Sequence, residues 1–314
     1  MTTNESPLAG LDFALVGPGR VGTSLALWAV ARGARCRSVA GGPGSSHAAP
    51  LAARLGATAA GGAELADPEA GCILIAVPDA KIAEVARRLA GRRRSGVALH
   101  VSGALGASVL APLAAAGCRG GAFHPLRAFP AVEEDVRAAA GTFYALDGDA
   151  EARSMGRRLA KAFDGESAVV DEELRPLYHW AASVAAGSLV ALLATAHDVA
   201  RRLNLPDSAR RGYDRLAAGA LGAALASGDP AAAMTGPAAR GDLETLHRHL
   251  EALAARRPDL LSLAVELART VVARAAENAP LDPAQLAVAE WLARPDLLDR
   301  AKDRVLASPR PKSA

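Results

Sequence analysis

The sequence is poor in the residues that staple, ligate and stack. Among 314 residues there are three cysteines, Cys36, Cys72 and Cys118, and no C-x-x-C pair. An odd, scattered set excludes a secreted disulfide framework and a structural zinc site; each thiol reads as a small buried hydrophobe in a reducing cytoplasm. Aromatic residues make up only 4%. No Lys/Arg block has aromatics interleaved, so nucleic acid is not an expected partner, and Arg92-Arg93-Arg94 reads as a solvated helix end. Lysine is confined to Lys81, Lys161, Lys302 and Lys312, so arginine carries the formal charge of +3. Met1 to Gly10 has neither the charged nor the apolar segment of a signal peptide. The longest uncharged helical run, Ala181 to Ala196, is too short and too rich in Ala, Ser and Gly to span a bilayer, so no membrane partner is expected and the run reads as a buried helix. What is abundant is hydrophobic side chain, 51%. That excludes a disordered chain, and the length suits two domains of about 150 residues each.

Along the chain, short apolar runs alternate with helical patterns. Leu11 to Val16 reads as a buried strand, Val21 to Ala31 as a helix stopped by Gly33, and Cys36 to Ala40 as a second strand. Cys72 to Val77, apolar on both faces, reads as a central parallel strand, and Asp79 as the N-cap of a helix to Ala90. Val97 to Val101, Arg119 to Phe123, Thr142 to Leu146 and Ala168 to Val170 read as further strands, with a helix from Ala150 to Phe163. After Asp171 almost every segment is helical. The expected fold is α/β: an N-terminal doubly wound, Rossmann-type parallel sheet over 9–168, then an all-α domain over 169–306 for substrate and dimer contacts, and a disordered basic tail over 307–314.

Gly17-Pro18-Gly19-Arg20-Val21-Gly22 is a G-x-G-x-x-G run between a predicted strand and a predicted helix, the context in which it binds a dinucleotide. Gly17 permits the tight turn, Gly19 the approach of a pyrophosphate, and Gly22 close helix packing, with the helix N-terminus facing the phosphates. NAD sites carry an acidic residue about 20 residues further on. Here no acidic residue lies between Phe13 and Ala63, whereas Arg20, Arg32, Arg35, Arg37 and Arg54 do. A loop containing Ser45, Ser46 and His47 follows the second strand. The missing carboxylate removes repulsion against a 2′-phosphate, which favours NADP. Arg32 and Arg35 read as solvated.

Five further segments complete an ordered set: Ile75-Ala76-Val77-Pro78-Asp79, His100-Val101-Ser102-Gly103-Ala104-Leu105-Gly106, His124-Pro125-Leu126-Arg127-Ala128-Phe129, Tyr178-His179, and Thr235-Gly236-Pro237-Ala238-Ala239-Arg240-Gly241-Asp242. From about Leu11 to Leu253 this set resembles the Rossmann-like proteins with a C-terminal domain of unknown function 2520. That family is similar to pyrroline-5-carboxylate reductases, deazaflavin-dependent NADP reductases and prephenate dehydrogenases. The resemblance implies a reductase or dehydrogenase, usually a homodimer, with the nicotinamide over the sheet and the turn Val77-Pro78-Asp79 lining its ribose. The chain departs from its relatives at Gly187-Ser188, where they often carry Asn before an aromatic.

Hydride transfer needs a held cofactor, an oriented substrate and a proton donor or fixed dipole. Ser102 and Gly103 stand at a strand end; Ser102 is a candidate for the carboxamide or a substrate oxygen, or else a turn cap. His124, ahead of Pro125, is a candidate acid–base group, since imidazole titrates near neutral pH. His179, Ser183 and His197 fall on one face of an ideal helix, with His179 the second candidate acid and Ser183 a pocket residue. Arg240 is a candidate clamp for a substrate carboxylate, or the partner of Asp242 in a turn. His247 and His249 cannot share a helix face, and no metal site is expected. No lysine lies between Ala162 and Ala301, so the lysine chemistry of hydroxyacid dehydrogenases is not available. The leading expectation is an NADP-dependent reductase of a small carbonyl or imine compound, with a carboxylate. The alternatives are a non-catalytic NADP-binding sensor or partner-binding protein, and an imine reductase needing no histidine acid.

Overall fold

The computed structural model describes residues 6–299; the expected basic tail lies outside them. Eight strands form one sheet: β1 (Asp12–Val16), β2 (Arg35–Ala40), β3 (Thr58–Ala60), β4 (Cys72–Ile75), β5 (Val97–His100), β6 (Arg119–Pro125), β7 (Phe143–Gly148) and β8 (Glu166–Val169). Their order is β3-β2-β1-β4-β5-β6-β7-β8. All neighbours are parallel except β6 and β7. β4 and β5 are buried at every position, as strands covered on both faces must be. The order reverses between β1 and β4, and ligands bind at the carboxyl ends of strands at such a point. β3 was not anticipated, because three residues are too few to show a period.

The helices α1 (Arg20–Ala31), α2 (Ala48–Leu55), α3 (Asp79–Ala90), α4 (Ala111–Ala115) and α5 (Ala150–Ala162) cover this sheet. Phe13 and Leu15 of β1 enter one core, and Ala14 and Val16 enter the other. The scarce aromatics gather in the first core. Trp28 meets Phe163 edge-on at 5.7 Å, and Phe123 of β6 stacks on Tyr144 of β7 at 4.7 Å. The second core is aliphatic, built on Ile73, Ile75, Ile82, Leu89, Leu110 and Leu113. All three cysteines are free and buried, and burial pushes the Cys36 and Cys72 thiols up to about 12.

Two local expectations are corrected. Arg93 is no solvated helix end: it is buried, and its guanidinium donates to the carbonyls of Pro68 (3.2 Å) and Ala70 (2.6 Å). Those carbonyls lie just before β4 and need donors there. Asp79 is not the N-cap of α3; Pro78 holds that position, and the Asp79 carboxylate accepts from Ser102 instead.

Beyond Val169 the described chain is helical. α6 (Arg175–Ser183), a π-turn (Val184–Ser188) and α7 (Leu189–Arg202) form one continuous run. The chain divides within it into two compact units, one ending at Val190 and the other starting at Ala191. In the second unit come α8 (Asp207–Ser227), α9 (Leu243–Arg256), α10 (Leu261–Asn278) and α11 (Pro283–Leu292). Its core is Leu246, Leu250, Leu261, Val265, Val272 and Val288, while α8 buries none of its 21 residues.

The expected buried helix Ala181–Ala196 is in fact largely exposed: among the described residues nothing covers side chains such as Leu189 and Val190. The run Glu172–Arg202 spans 31 residues with a most apolar window of mean hydropathy 1.5, none of it buried. By length and composition alone this longer run is enough to cross a membrane; the expectation concerned only its uncharged stretch, Ala181–Ala196.

Candidate functional site

Gly17 follows β1 with φ of +97°, and a Cβ there would lie 2.5 Å from the Ala76 carbonyl oxygen. A Cβ on Gly22 would lie 2.2 Å from the Gly17 carbonyl oxygen. Both positions therefore exclude any larger residue. Gly19 is the opposite case: nothing stands within 4 Å of its Cβ position, and this is the open side of the turn. No side chain caps α1, and no acidic residue sits in its first turn. Its first N–H groups and the positive end of its dipole are thus free for an anion.

This turn borders a cleft of about 370 Å³. Gly17, Pro18 and Gly19 form one wall. Gly41, Gly42, Pro43, Ser45 and His47 after β2 form another, and Val77, Pro78, Lys81, Glu84 and Arg88 complete it. Of the residues expected here, Val21 packs against the core and Ser46 does not line the cleft. The Arg20 side chain donates to the Pro130 carbonyl at 2.8 Å. The other arginines of the acid-free stretch are also engaged: Arg32 with Asp164, Arg35 with Asp12, Arg37 with Asp12 and Asp67, and Arg54 with Glu134. The cations lining the cleft are Lys81 and Arg88 of α3, with Glu84 between them at 3.1 and 3.8 Å. Their seven-residue spacing on a predicted helix was the available signal.

A second cavity, of about 770 Å³, lies in the same unit. His124, Leu126, Arg127 and Ala128 line it beside Tyr178 and His179 of α6, and Ala181, Ala182, Ser183, Ala185, Ala186 and Gly187 continue its wall. His124 Nδ1 is 2.9 Å from the Tyr178 hydroxyl. The His124 and His179 rings stand edge to face at 6.2 Å. Gly103 makes this possible, since a Cβ there would lie 2.7 Å from His179 Cδ2 and 2.8 Å from His124 Nε2. Burial first, then the neighbouring His179, Arg175 and His100, hold His124 down to about 4. At neutral pH it is uncharged, contrary to the expectation of an imidazole titrating near pH 7. Burial also pushes the Tyr178 phenol up to about 12, against the opposing pull of the Arg175 cation.

Beneath the cavity the polar groups are structural. Ser102 Oγ donates to Asp79 (2.8 Å) and accepts from the N–H groups of Ala104 and Leu105. One donor and two acceptor sites are then used up, which favours the turn-cap role over a catalytic one. His100 is fully buried: its Nε2 meets the Gly106 carbonyl at 3.0 Å, and its Nδ1 accepts from the Ser102 N–H at 3.2 Å. The buried Arg175 guanidinium, missed in the sequence, donates to the carbonyls of Ser102 (3.3 Å) and Ala145 (3.4 Å), with Asp147 at 3.7 Å. Burial lowers its pKa.

Pro125 is buried in β6 opposite Tyr144. Ser183 lines the cavity, and its hydroxyl donates to the His179 carbonyl. The π-turn after Ser183 breaks the helical phase that put His197 on the face of His179. His197 pairs with Asp214 at 2.8 Å. Arg240 and Asp242 belong to the second unit, where Arg240 is exposed and Asp242 caps α9 by accepting from the Thr245 N–H.

The reversed strand order and the glycine turn define a Rossmann-like α/β domain, and residues 2–125 match the family described as Rossmann-like domain. Residues 142–271 match the Domain of unknown function (DUF2520). The chain thus carries these two domain matches in order. Among solved structures it is similar to protein BF3122 from Bacteroides fragilis, at 22% identity and a TM-score of 0.68, over 85% of this chain and 99% of that one. Protein TM1727 from Thermotoga maritima gives 21% and 0.67 over the same shares, 85% and 99%. The imine reductase from Myxococcus stipitatus, in complex with NADP+, gives 18% and 0.57 over 88% and 98%. Comparison with curated proteins finds no match.

Proposed function

We propose that the chain is an NADP-dependent oxidoreductase that transfers a hydride between nicotinamide and a small carbonyl or imine compound carrying a carboxylate. The observation that carries this reading is the pairing, within one compact unit, of a glycine-turn cleft with a cavity bearing two imidazoles. The fold shared with the NADP+-bound imine reductase supports it. When bound, the nicotinamide supplies or accepts the hydride. The chain's own residues do the rest. Gly17, Gly19 and the start of α1 admit a pyrophosphate, and Val77 and Pro78 line the same cleft. Lys81 and Arg88 offer a 2′-phosphate two cations; both now pair with Glu84, and Arg88 also with Glu64 at 3.6 Å. His124 and His179 face the substrate. Arg127 lines the cavity; its guanidinium, which donates to the Ala138 carbonyl and rests on the Trp28 and Phe129 rings, would turn to the carboxylate in the role expected of Arg240.

A second copy of the chain covers the exposed apolar run from α6 to α7. That run exposes Trp180, Leu189, Val190 and Leu192, and its small residues wall the cavity, so a protein partner, rather than lipid or nucleic acid, suits it. Three buried free thiols fit a cytoplasmic setting.

Parallel calorimetric titrations with NADPH and NADH test the cofactor. The expected result is NADPH binding at least about tenfold tighter, narrowed by Lys81→Ala and Arg88→Ala. Equal affinity would remove NADP, and no binding of either would favour a partner-binding module. Sedimentation of the full chain tests the dimer, with a monomer at micromolar concentration as the contrary result.

A further inference from the structure

His124 is tied at one nitrogen only. Nδ1 meets the Tyr178 hydroxyl at 2.9 Å. Among the described residues Nε2 has no hydrogen-bond partner; the ring packs against Gly103, whose missing Cβ leaves room for it, and His124 lines the cavity. A phenol either donates to or accepts from an imidazole nitrogen, and the choice sets what the other nitrogen can do. Burial pushes the phenol up, against the pull of the Arg175 cation, so it keeps its proton, and among the described residues Nδ1 is the one hydrogen-bond partner of its hydroxyl. A phenol donating to Nδ1 leaves the hydrogen on Nε2.

We propose that Tyr178 is a positioning residue that locks His124 in the neutral Nε2–H tautomer, so that His124 donates a hydrogen bond to the oxygen of a neutral carbonyl substrate. This rests on the reductase reading and narrows its substrate class. A donor at Nε2 suits a carbonyl oxygen and opposes a protonated iminium, whose own N–H needs an acceptor. The groups facing His124 are consistent with a neutral ring. From α6 come Tyr178, His179 and Arg175, and from β5 His100, with no carboxylate among them. A neutral imidazole N–H still polarises a carbonyl as a fixed hydrogen-bond donor.

The proton balance closes on these residues. As the carbonyl carbon accepts the hydride, its π pair moves to oxygen. That oxygen takes the Nε2 proton while the Tyr178 O–H proton passes to Nδ1. The imidazole is left neutral in its other tautomer; the phenolate then takes back the Nδ1 proton while Nε2 takes one from solvent, which restores the starting state. The phenol, though pushed up to about 12, is more acidic than the alcohol formed.

The test is nitrogen NMR on the full chain with labelled histidine, from pH 5 to 8, alongside turnover of simple oxo acids with NADPH. The expected spectrum shows His124 protonated at Nε2, unprotonated at Nδ1 and not titrating across this range. Tyr178→Phe is expected to mix the tautomers and to lower kcat about tenfold or more, with KM little changed. His124→Gln, which keeps a neutral N–H donor, retains more activity than His124→Ala. A proton on Nδ1, titration near 6.5, or an unchanged tautomer in Tyr178→Phe would overturn the proposal whatever the activity. The expected tautomer without turnover of any carbonyl would overturn the reductase reading, and with it the role given to Nε2.

Discussion

Two imidazoles stand at the ends of neighbouring strands, His100 on β5 and His124 on β6, and both are held down to about 4 chiefly by burial. They differ in what their nitrogens touch. His100 binds backbone with both, the Gly106 carbonyl at Nε2 and the Ser102 N–H at Nδ1. His124 binds one side chain, Tyr178, and lines a cavity with the rest of its ring. A lowered pKa alone therefore does not mark a functional histidine. An uncommitted nitrogen beside an open space does, and a ring closed at both nitrogens is part of the scaffold.

Replacing each ring by alanine breaks the comparison most sharply. His124→Ala is expected to lower kcat by roughly 10²–10⁴ with NADPH affinity unchanged, measured by steady-state kinetics and calorimetry. Acid comes next. The unfolded chain binds protons near the usual histidine value of 6.5, and the folded chain only near 4. Stability present above pH 6.5 is thus lost as pH falls toward 4, on the order of 3 kcal/mol per histidine. Urea midpoints across that range check the sign, and either alanine variant is expected to flatten the dependence. At neutral pH the two variants part again. His100→Ala leaves two buried backbone groups unpaired and is expected to cost about 2–3 kcal/mol, whereas His124→Ala costs less. The smallest expected effect on stability is Gly103→Ala, about 1–2 kcal/mol from overpacking. Its Cβ would meet both His124 and His179, so activity is expected to fall while His100 and its bonds remain.

The two compact units differ in a related way. The sheet-bearing unit buries aromatic and aliphatic side chains on both faces. In the other, α9 to α11 share a small aliphatic core and α8 stays exposed along its length. This is why the elements of the first unit were readable one by one and the burial in the second was not. Strands apolar on both faces announce their cover. An alanine-rich helix is equally compatible with burial in its own chain and against another, and the exposed run through Leu189 and Val190 shows the cost of assuming the first.

The site was legible to different depths. Gly17, Gly19 and Gly22 declared themselves by spacing, because the turn depends on backbone sterics that only glycine meets. The cleft's cations did not, since an arginine near a motif in sequence is free to turn elsewhere, and Arg32, Arg35, Arg37 and Arg54 all find carboxylates. Arg175 had no local signal, as its partners Ser102, Ala145 and Asp147 come from two distant segments, the turn after β5 and strand β7.

By itself the sequence determined the local chemistry: strand and helix periods, the glycine turn, the order of a Rossmann-like half and a helical half, and the presence of His124, His179 and Tyr178. These follow from interactions a few residues long. Only the tertiary structure decided that His124 is neutral, that Ser102 is committed to capping, that Lys81 and Arg88 face the cleft, and that Gly103 makes room for two rings. Burial, charge and hydrogen-bond partnership are set by groups far apart along the chain, and a pKa is a sum over all of them.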